Sequence, residues 1–295
     1  MGDHPITGCL AASVTPFEQG GDRLDEQAFA PLTDFMVGAG LDGLLAMGTT
    51  GEGLLLSLRE RKRVIDLFMA ASRRRLKVVA HAGAQTTRDT VILAEYAAQS
   101  GADGVAVIGP PYFALDDISM FEHFAAAGRA CAPVPFYIYE FAARSGYSVP
   151  LHVIKNLRDR LPNLAGLKVS DTPWVKFEPY LIEGLSVFVG PEALIHRGMA
   201  GGAVGAVSAL ASALPELVIN AVRTGHPESS ERCMIARDVI QRFPFHAALK
   251  TILHARGIAM TNAVRAPLRG VTPNERAELE TAAADLLEKA PATAT

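Results

Sequence analysis

Eight short apolar, β-prone runs recur along this chain, each followed by helical periodicity, at a spacing of roughly 25 to 35 residues. The strand candidates are Cys9–Val14, Gly43–Met47, Val78–His81, Gly104–Ile108, Pro135–Tyr139, Ala165–Lys168, Ser186–Val189 and Ala203–Val207. Consecutive parallel strands need helical crossovers, so eight such units predict an α/β fold, a closed (β/α)8 TIM barrel. Such a barrel takes about 250 residues. The 295 residues here leave a remainder after the eighth strand. We expect the barrel over residues 1–224 and a C-terminal helical extension of the same domain over 225–295. The extension reads as three helices, Ser229–Arg242, Phe245–Arg256 and Thr272–Glu288, with no Gly-, Ser- or Pro-rich linker before them.

Several helix starts are legible. Ser57-Leu-Arg-Glu60 reads as a capping box, the hydroxyl serving the Glu60 amide and the carboxylate serving that of Ser57. It opens a helix with Val64, Ile65, Phe68 and Met69 on one face. Thr86 opens the next, with Ile92, Leu93, Tyr96 and Ala97 expected to face the barrel, and Pro150 suits the first turn of the fifth.

Composition narrows the function. Hydrophobic residues make up 49% and charged residues 20%, the profile of a compact globular protein. A net charge of −3 argues against dependence on nucleic acid or anionic membrane. No stretch of about 18 apolar residues predicts a membrane span, and the start lacks the pattern of a signal peptide. Cys9, Cys131 and Cys233 are scattered, which suits neither a disulfide framework nor a zinc site and points to the cytoplasm. The Ala290–Thr295 end reads as a frayed tail.

In these barrels the active site lies at the C-terminal ends of the strands, and that rule sorts the lysines. Lys62, Lys155 and Lys176 fall in helices of the outer ring, Lys77 precedes the third strand, and Lys250 and Lys289 belong to the C-terminal helices. Only Lys168 closes an apolar run, Leu164-Ala-Gly-Leu-Lys168. An amine shut off from water favours its neutral form, and a neutral amine attacks a ketone. The same position also suits a lysine paired with a carboxylate at the barrel rim.

Gly48-Thr-Thr-Gly-Glu52 follows the second strand, where the amides and hydroxyls of Thr49 and Thr50 could hold a carboxylate or merely form a loop. Tyr139 closes the fifth strand, directly before the strand of Lys168, where an isolated aromatic suits packing with its hydroxyl hydrogen-bonded or a place in a site. Arg144 could grip a substrate carboxylate or be solvated, and Tyr112 in Gly109-Pro-Pro-Tyr-Phe113 is equally open.

From about Ile6 to Pro267, these residues together resemble the dihydrodipicolinate synthase and N-acetylneuraminate lyase superfamily. The resemblance is carried, in order, by Thr15-Pro-Phe17, the GTTGE loop, the PPYF segment, Tyr139 at the end of strand five and Gly166-Leu-Lys168 on strand six. It implies that Lys168 forms a Schiff base with a 2-oxo acid, most simply pyruvate, and that Tyr139 relays protons there. Thr49 would link Tyr139 to a second tyrosine. Tyr112 matches that second tyrosine, which in this family enters a neighbouring subunit's site. A homotetramer, a dimer of dimers, is therefore implied. Thr50 matches the residue that holds the pyruvate carboxylate. The iminium serves as electron sink, so neither cofactor nor metal is expected, and no HxxxH-type spacing occurs.

Ala80-His-Ala-Gly83, Gly104-Val-Ala-Val-Ile108, Pro135-Phe-Tyr-Ile-Tyr139 and Gly166–Thr172 look nearer the neuraminate lyase branch. Glu192 and Ser208 match positions that contact the sugar acid's polyol there. Glu192 equally suits a helix first turn, and Ser208 equally suits a small filler of the barrel mouth. Pro191 replaces an acid of the lyases, and Leu58 stands where lysine-inhibited synthases often carry histidine. Glu140 would put a carboxylate near the site mouth, as a substrate selector or a solvated charge. Arg144 matches the synthase's distal arginine. The expectation is a class I aldolase acting on a 3-deoxy-2-oxo sugar acid or related hydroxy 2-oxo acid. Dihydrodipicolinate synthase, a 2-oxo-3-deoxy acid dehydratase and a non-catalytic 2-oxo acid sensor are the alternatives.

Overall fold

The computed structural model describes residues Ile6–Glu288, so the Met1–Pro5 start, Lys289 and the Ala290–Thr295 tail lie outside the described residues. Eight parallel strands close on themselves in chain order, with β1 paired to β8. They are β1 Gly8–Ala12, β2 Gly43–Ala46, β3 Lys77–His81, β4 Gly104–Ile108, β5 Phe136–Glu140, β6 Leu164–Val169, β7 Ser186–Val189 and β8 Gly205–Ser208. This is the TIM barrel that the alternation predicts.

Around the strands run α1 Phe29–Gly38, α2 Leu58–Ser72, α3 Thr87–Gln99, α4 Asp117–Cys131, the short α5 Ala142–Ser145, α6 Leu151–Arg160, α7 Trp174–Phe177, α8 Ile195–Ala200 and α9 Pro215–Thr224. The extension follows as α10 Pro227–Gln241, α11 Phe245–Ala255 and α12 Pro273–Glu288. The Ser57–Glu60 capping box is formed with both reciprocal bonds, and Thr86 caps α3 through the Asp89 amide. On α3 the buried stripe is Thr90, Leu93, Ala94 and Ala97 rather than one including Ile92. Pro150 stands one residue earlier than expected, at the N-cap of α6. Among the described residues no helix is long and apolar enough to cross a membrane.

Strand parity positions everything functional. Side chains alternate across a strand, so every second residue enters the barrel and the others meet the helices. Leu10, Leu45, Val79, Ala106, Tyr137, Phe188 and Val207 form an apolar layer inside. Phe136, Ile138, Leu167, Val169, Val189 and Ala206 instead join the larger core between strands and helices. Truncating Phe188 to alanine would cost about 3–5 kcal/mol, because the barrel interior collapses poorly around a void. Tyr139 lies two residues beyond Tyr137, and Lys168 two beyond Gly166, so both stay on the inner face. They are direct partners in the β5–β6 register.

Candidate active site

At the C-terminal mouth of the barrel opens a cavity of about 420 Å³. The aliphatic stem of Lys168 rises from the inner apolar layer, and its amine lies 4.0 Å from the centre of the Tyr139 ring. Lys168 is 7% exposed and lines that cavity. Lys250 is buried more deeply, and burial lowers its amine to about 8 even beside Glu52. It is fully buried and does not line this cavity, so a lowered amine without access to the barrel mouth separates it from Lys168.

The Tyr139 hydroxyl and the Thr49 hydroxyl are 3.2 Å apart, within hydrogen-bond reach. Thr49 and Thr50 both face the cavity from the loop after β2. That loop is bent back tightly. A Cβ on Gly53 would lie 1.8 Å from the Met47 carbonyl oxygen, so a glycine is needed for close approach rather than for an unusual φ. The left-handed residues are instead Met47 (φ 58°) and Glu52 (φ 56°), which flank the two threonines.

His81, at the end of β3, meets the Tyr139 ring edge-on at 5.9 Å. Its Nδ1 donates to the Met47 carbonyl at 3.1 Å, leaving Nε2 to accept weakly from the Ile108 amide. Burial, then the nearby Arg61 and Lys168 cations, holds this imidazole well below its usual range, so it is neutral. A second cavity, about 220 Å³, lies beside the first and shares Thr49, Arg144 and His246 with it. Arg144 stands exposed on α5 at their common edge and forms no ion pair among the described residues.

Glu192 lines the cavity in the turn after β7 and is 5% exposed. Its Oε1 accepts from the Ser208 hydroxyl at 2.7 Å and, more weakly, from Arg237 at 3.5 Å. Ser208 is fully buried and does not line the cavity. It follows inward-facing Val207, so parity turns it outward, where it supports Glu192 instead of facing substrate. The same rule corrects Glu140. As the neighbour of Tyr139 it points away from the mouth, is 1% exposed, and accepts the Val149 amide at 2.9 Å. Burial first, then the neighbouring Asp171 carboxylate, pushes it up to about 9, so it is neither a solvated charge nor a selector at the mouth.

Tyr112 is 86% exposed, with a left-handed φ of 82°, and packs edge-on against Phe113. It does not line its own chain's cavity. Two further groups of cavity residues escaped the sequence reading. Ser170 and Thr172 lie two and four residues past Lys168, so extending the strand's alternation would have found them. Arg237, Asp238, Gln241, Phe245 and His246 come from α10 and α11, with no motif to mark them. Among the described residues, no cluster of three or more His, Cys, Asp or Glu side chains could hold a metal ion.

The sequence profile of the dihydrodipicolinate synthetase family matches residues 5–286. The chain belongs to that family. It is 33% identical over 290 residues to an uncharacterised DapA-like lyase of Halobacterium salinarum, covering 95% of this chain and 94% of that one. Among solved structures it resembles YagE, a protein of the dihydrodipicolinic acid synthase family from Escherichia coli K12, solved in complex with pyruvate. There the TM-score is 0.89 at 25% identity, over 95% of this chain and 98% of that one. It also resembles the Proteus mirabilis N-acetylneuraminate lyase, with a TM-score of 0.86 at 26% identity, over 97% of this chain and 98% of the other. As a dihydrodipicolinate synthetase family member it is a carbon–carbon lyase of the class I, pyruvate-dependent aldolase superfamily.

Proposed function

We propose that this lyase cleaves or forms a 3-deoxy-2-oxo sugar acid, or a related hydroxy 2-oxo acid, through a Schiff base between Lys168 and the pyruvyl unit. The observation that carries the reading is the inward-facing Lys168–Tyr139 pair, registered across β5 and β6 and linked to the Thr49 hydroxyl at the cavity floor. In this mechanism the Lys168 amine adds to the C2 ketone and water leaves, giving an iminium. In the cleavage direction the C4 hydroxyl loses its proton through Tyr139 as the C3–C4 bond breaks, and the bonding pair moves into the iminium as an enamine. Reprotonation at C3 and hydrolysis of the imine release pyruvate and restore the amine. Thr50 holds the 2-oxo acid carboxylate, and the Thr49 hydroxyl links Tyr139 to the second tyrosine of the relay.

The polyhydroxy chain is favoured by the polar far wall, where Glu192 and Asp238 accept, Arg237 donates and Gln241 does both. A mixed set of donors and acceptors suits hydroxyl groups, which also do both. Dihydrodipicolinate synthase is the second reading, favoured by Arg144, whose guanidinium at the cavity edge is free to take an aldehyde's distal carboxylate. Dehydration of a 2-oxo-3-deoxy acid would use the same imine. The exposed Tyr112 belongs, in this reading, to the site of a neighbouring subunit in a homotetramer, and the three free, buried cysteines suit the cytoplasm.

The test is borohydride reduction with pyruvate, followed by peptide mass mapping, beside a coupled pyruvate-release assay over a panel of 2-oxo acids. One reduced pyruvyl group at Lys168 and release from sugar acids are expected. Labelling elsewhere, or none at saturating pyruvate, would overturn the Schiff base. Turnover only with an aspartate-derived aldehyde would favour the synthase.

A further inference from the structure

Helix α11 touches the loop of Thr49 and Thr50 at two points one turn apart. His246 Nε2 donates to the Thr49 carbonyl at 3.0 Å, and burial keeps that imidazole below its usual range and neutral. Lys250 Nζ donates to Glu52 Oε1 at 2.6 Å, and both side chains of this ion pair are fully buried. The other Glu52 oxygen accepts the Arg265 amide at 2.7 Å. Lys250 also donates to the Ala263 carbonyl at 2.8 Å and sits 4.4 Å over the Phe17 ring. Both Glu52 oxygens are thereby hydrogen-bonded, and the ammonium has two acceptors and the face of a ring, tying together segments as far apart as Phe17 and Arg265.

The loop held in this way is strained. Met47 and Glu52, on either side of the threonines, are both non-glycine residues in the left-handed region. Such a conformation persists only where its surroundings over-determine it. The contact with most to lose is the 3.2 Å approach of the Thr49 hydroxyl to Tyr139, since hydrogen bonds weaken quickly with small displacements.

We propose that Lys250 and His246 are positioning residues for the reaction at Lys168. Through Glu52 and the Thr49 carbonyl they hold the strained loop so that the Thr49 hydroxyl meets Tyr139. The C-terminal extension is thereby a working part of the site rather than an appended cap. Lys250 itself meets no substrate. The inference rests on Lys168 and Tyr139 being the reacting pair, but its first readout is independent of activity.

Lys250→Met alone strands a buried carboxylate and risks misfolding, whereas the double variant E52Q/K250M removes both charges at similar volume. In the double variant, amide exchange over residues 47–53 should accelerate at least about tenfold while β5 and β6 stay protected. Turnover should fall at least about tenfold, with the borohydride-trapped pyruvyl adduct at Lys168 retained. His246→Phe should move both readouts in the same direction by less. Adding Thr49→Val to the double variant should cost little more, because the losses share one contact. Unchanged loop exchange, full turnover with only a lower Tm, or full additivity with Thr49→Val would each overturn the proposal. A wild-type protein that traps no pyruvate would instead sink the Schiff-base reading, and the loop exchange would still decide this one.

Discussion

Replacing Tyr139 by phenylalanine separates chemistry from packing. The ring keeps its neighbours, with His81 edge-on at 5.9 Å, Phe141 tilted at 6.2 Å and the Lys168 amine 4.0 Å from the ring centre. Only the hydroxyl goes, and with it the 3.2 Å hydrogen bond to Thr49. One such bond contributes about 0.5–1.5 kcal/mol to stability. For a chain of this size that is a Tm change of about 1–2.5 °C. If the hydroxyl relays protons, turnover should fall about 10²–10⁴-fold, equivalent to roughly 2.7–5.4 kcal/mol of barrier. Pyruvate should still form its adduct, because Lys168 and the threonine loop are untouched. The assay is steady-state pyruvate release beside the stoichiometry of the borohydride-trapped adduct. Turnover within about threefold of wild type, with only the small Tm loss, would reduce Tyr139 to packing and leave the proton relay without an owner.

Three further outcomes are expected. Glu140 is held up to about 9 in the folded chain from an ordinary value of 4.5, so folding takes up a proton between those pH values. Stability is therefore present at low pH and lost as pH rises through that window, by up to about 1.4 kcal/mol per unit. Glu140→Gln, an amide that does not titrate, should raise Tm at about pH 8 and converge on wild type at about pH 5; parallel Tm–pH curves would refute the assignment. Ser208→Ala removes the 2.7 Å hydrogen bond to Glu192, and should raise KM for a sugar acid and cost about 1–3 kcal/mol of stability, leaving the pyruvate adduct intact. An unchanged KM would show that Glu192 needs no such support. Tyr112 is tested by sedimentation with activity at matched dilution: dimers or tetramers should carry the activity, and a fully active monomer would refute the shared site.

The barrel was legible in the sequence because period-two strands and period-3.6 helices alternate with little ambiguity, and because parallel strands leave few ways to connect them. Lys168 and Tyr139 could be picked out for the same reason, since a residue that ends a barrel strand has its place set by local pattern. The helix caps are local too, and Ser57 (with its capping box) and Thr86 cap as their sequences predict. Parity at the strand ends was equally local but was not carried far enough. Applied to Tyr139 and Val207, it turns Glu140 and Ser208 away from the cavity, and applied to Lys168 it brings in Ser170 and Thr172. What no local pattern contained is the arrival of α10 and α11 over the mouth. The Lys250–Glu52 pair joins residues 198 apart, and His246 reaches Thr49 across 197. Contacts of that range depend on how helices pack after the barrel closes. The tertiary structure alone therefore decided which lysine is buried without access, which polar groups line the far wall, and what holds the threonine loop.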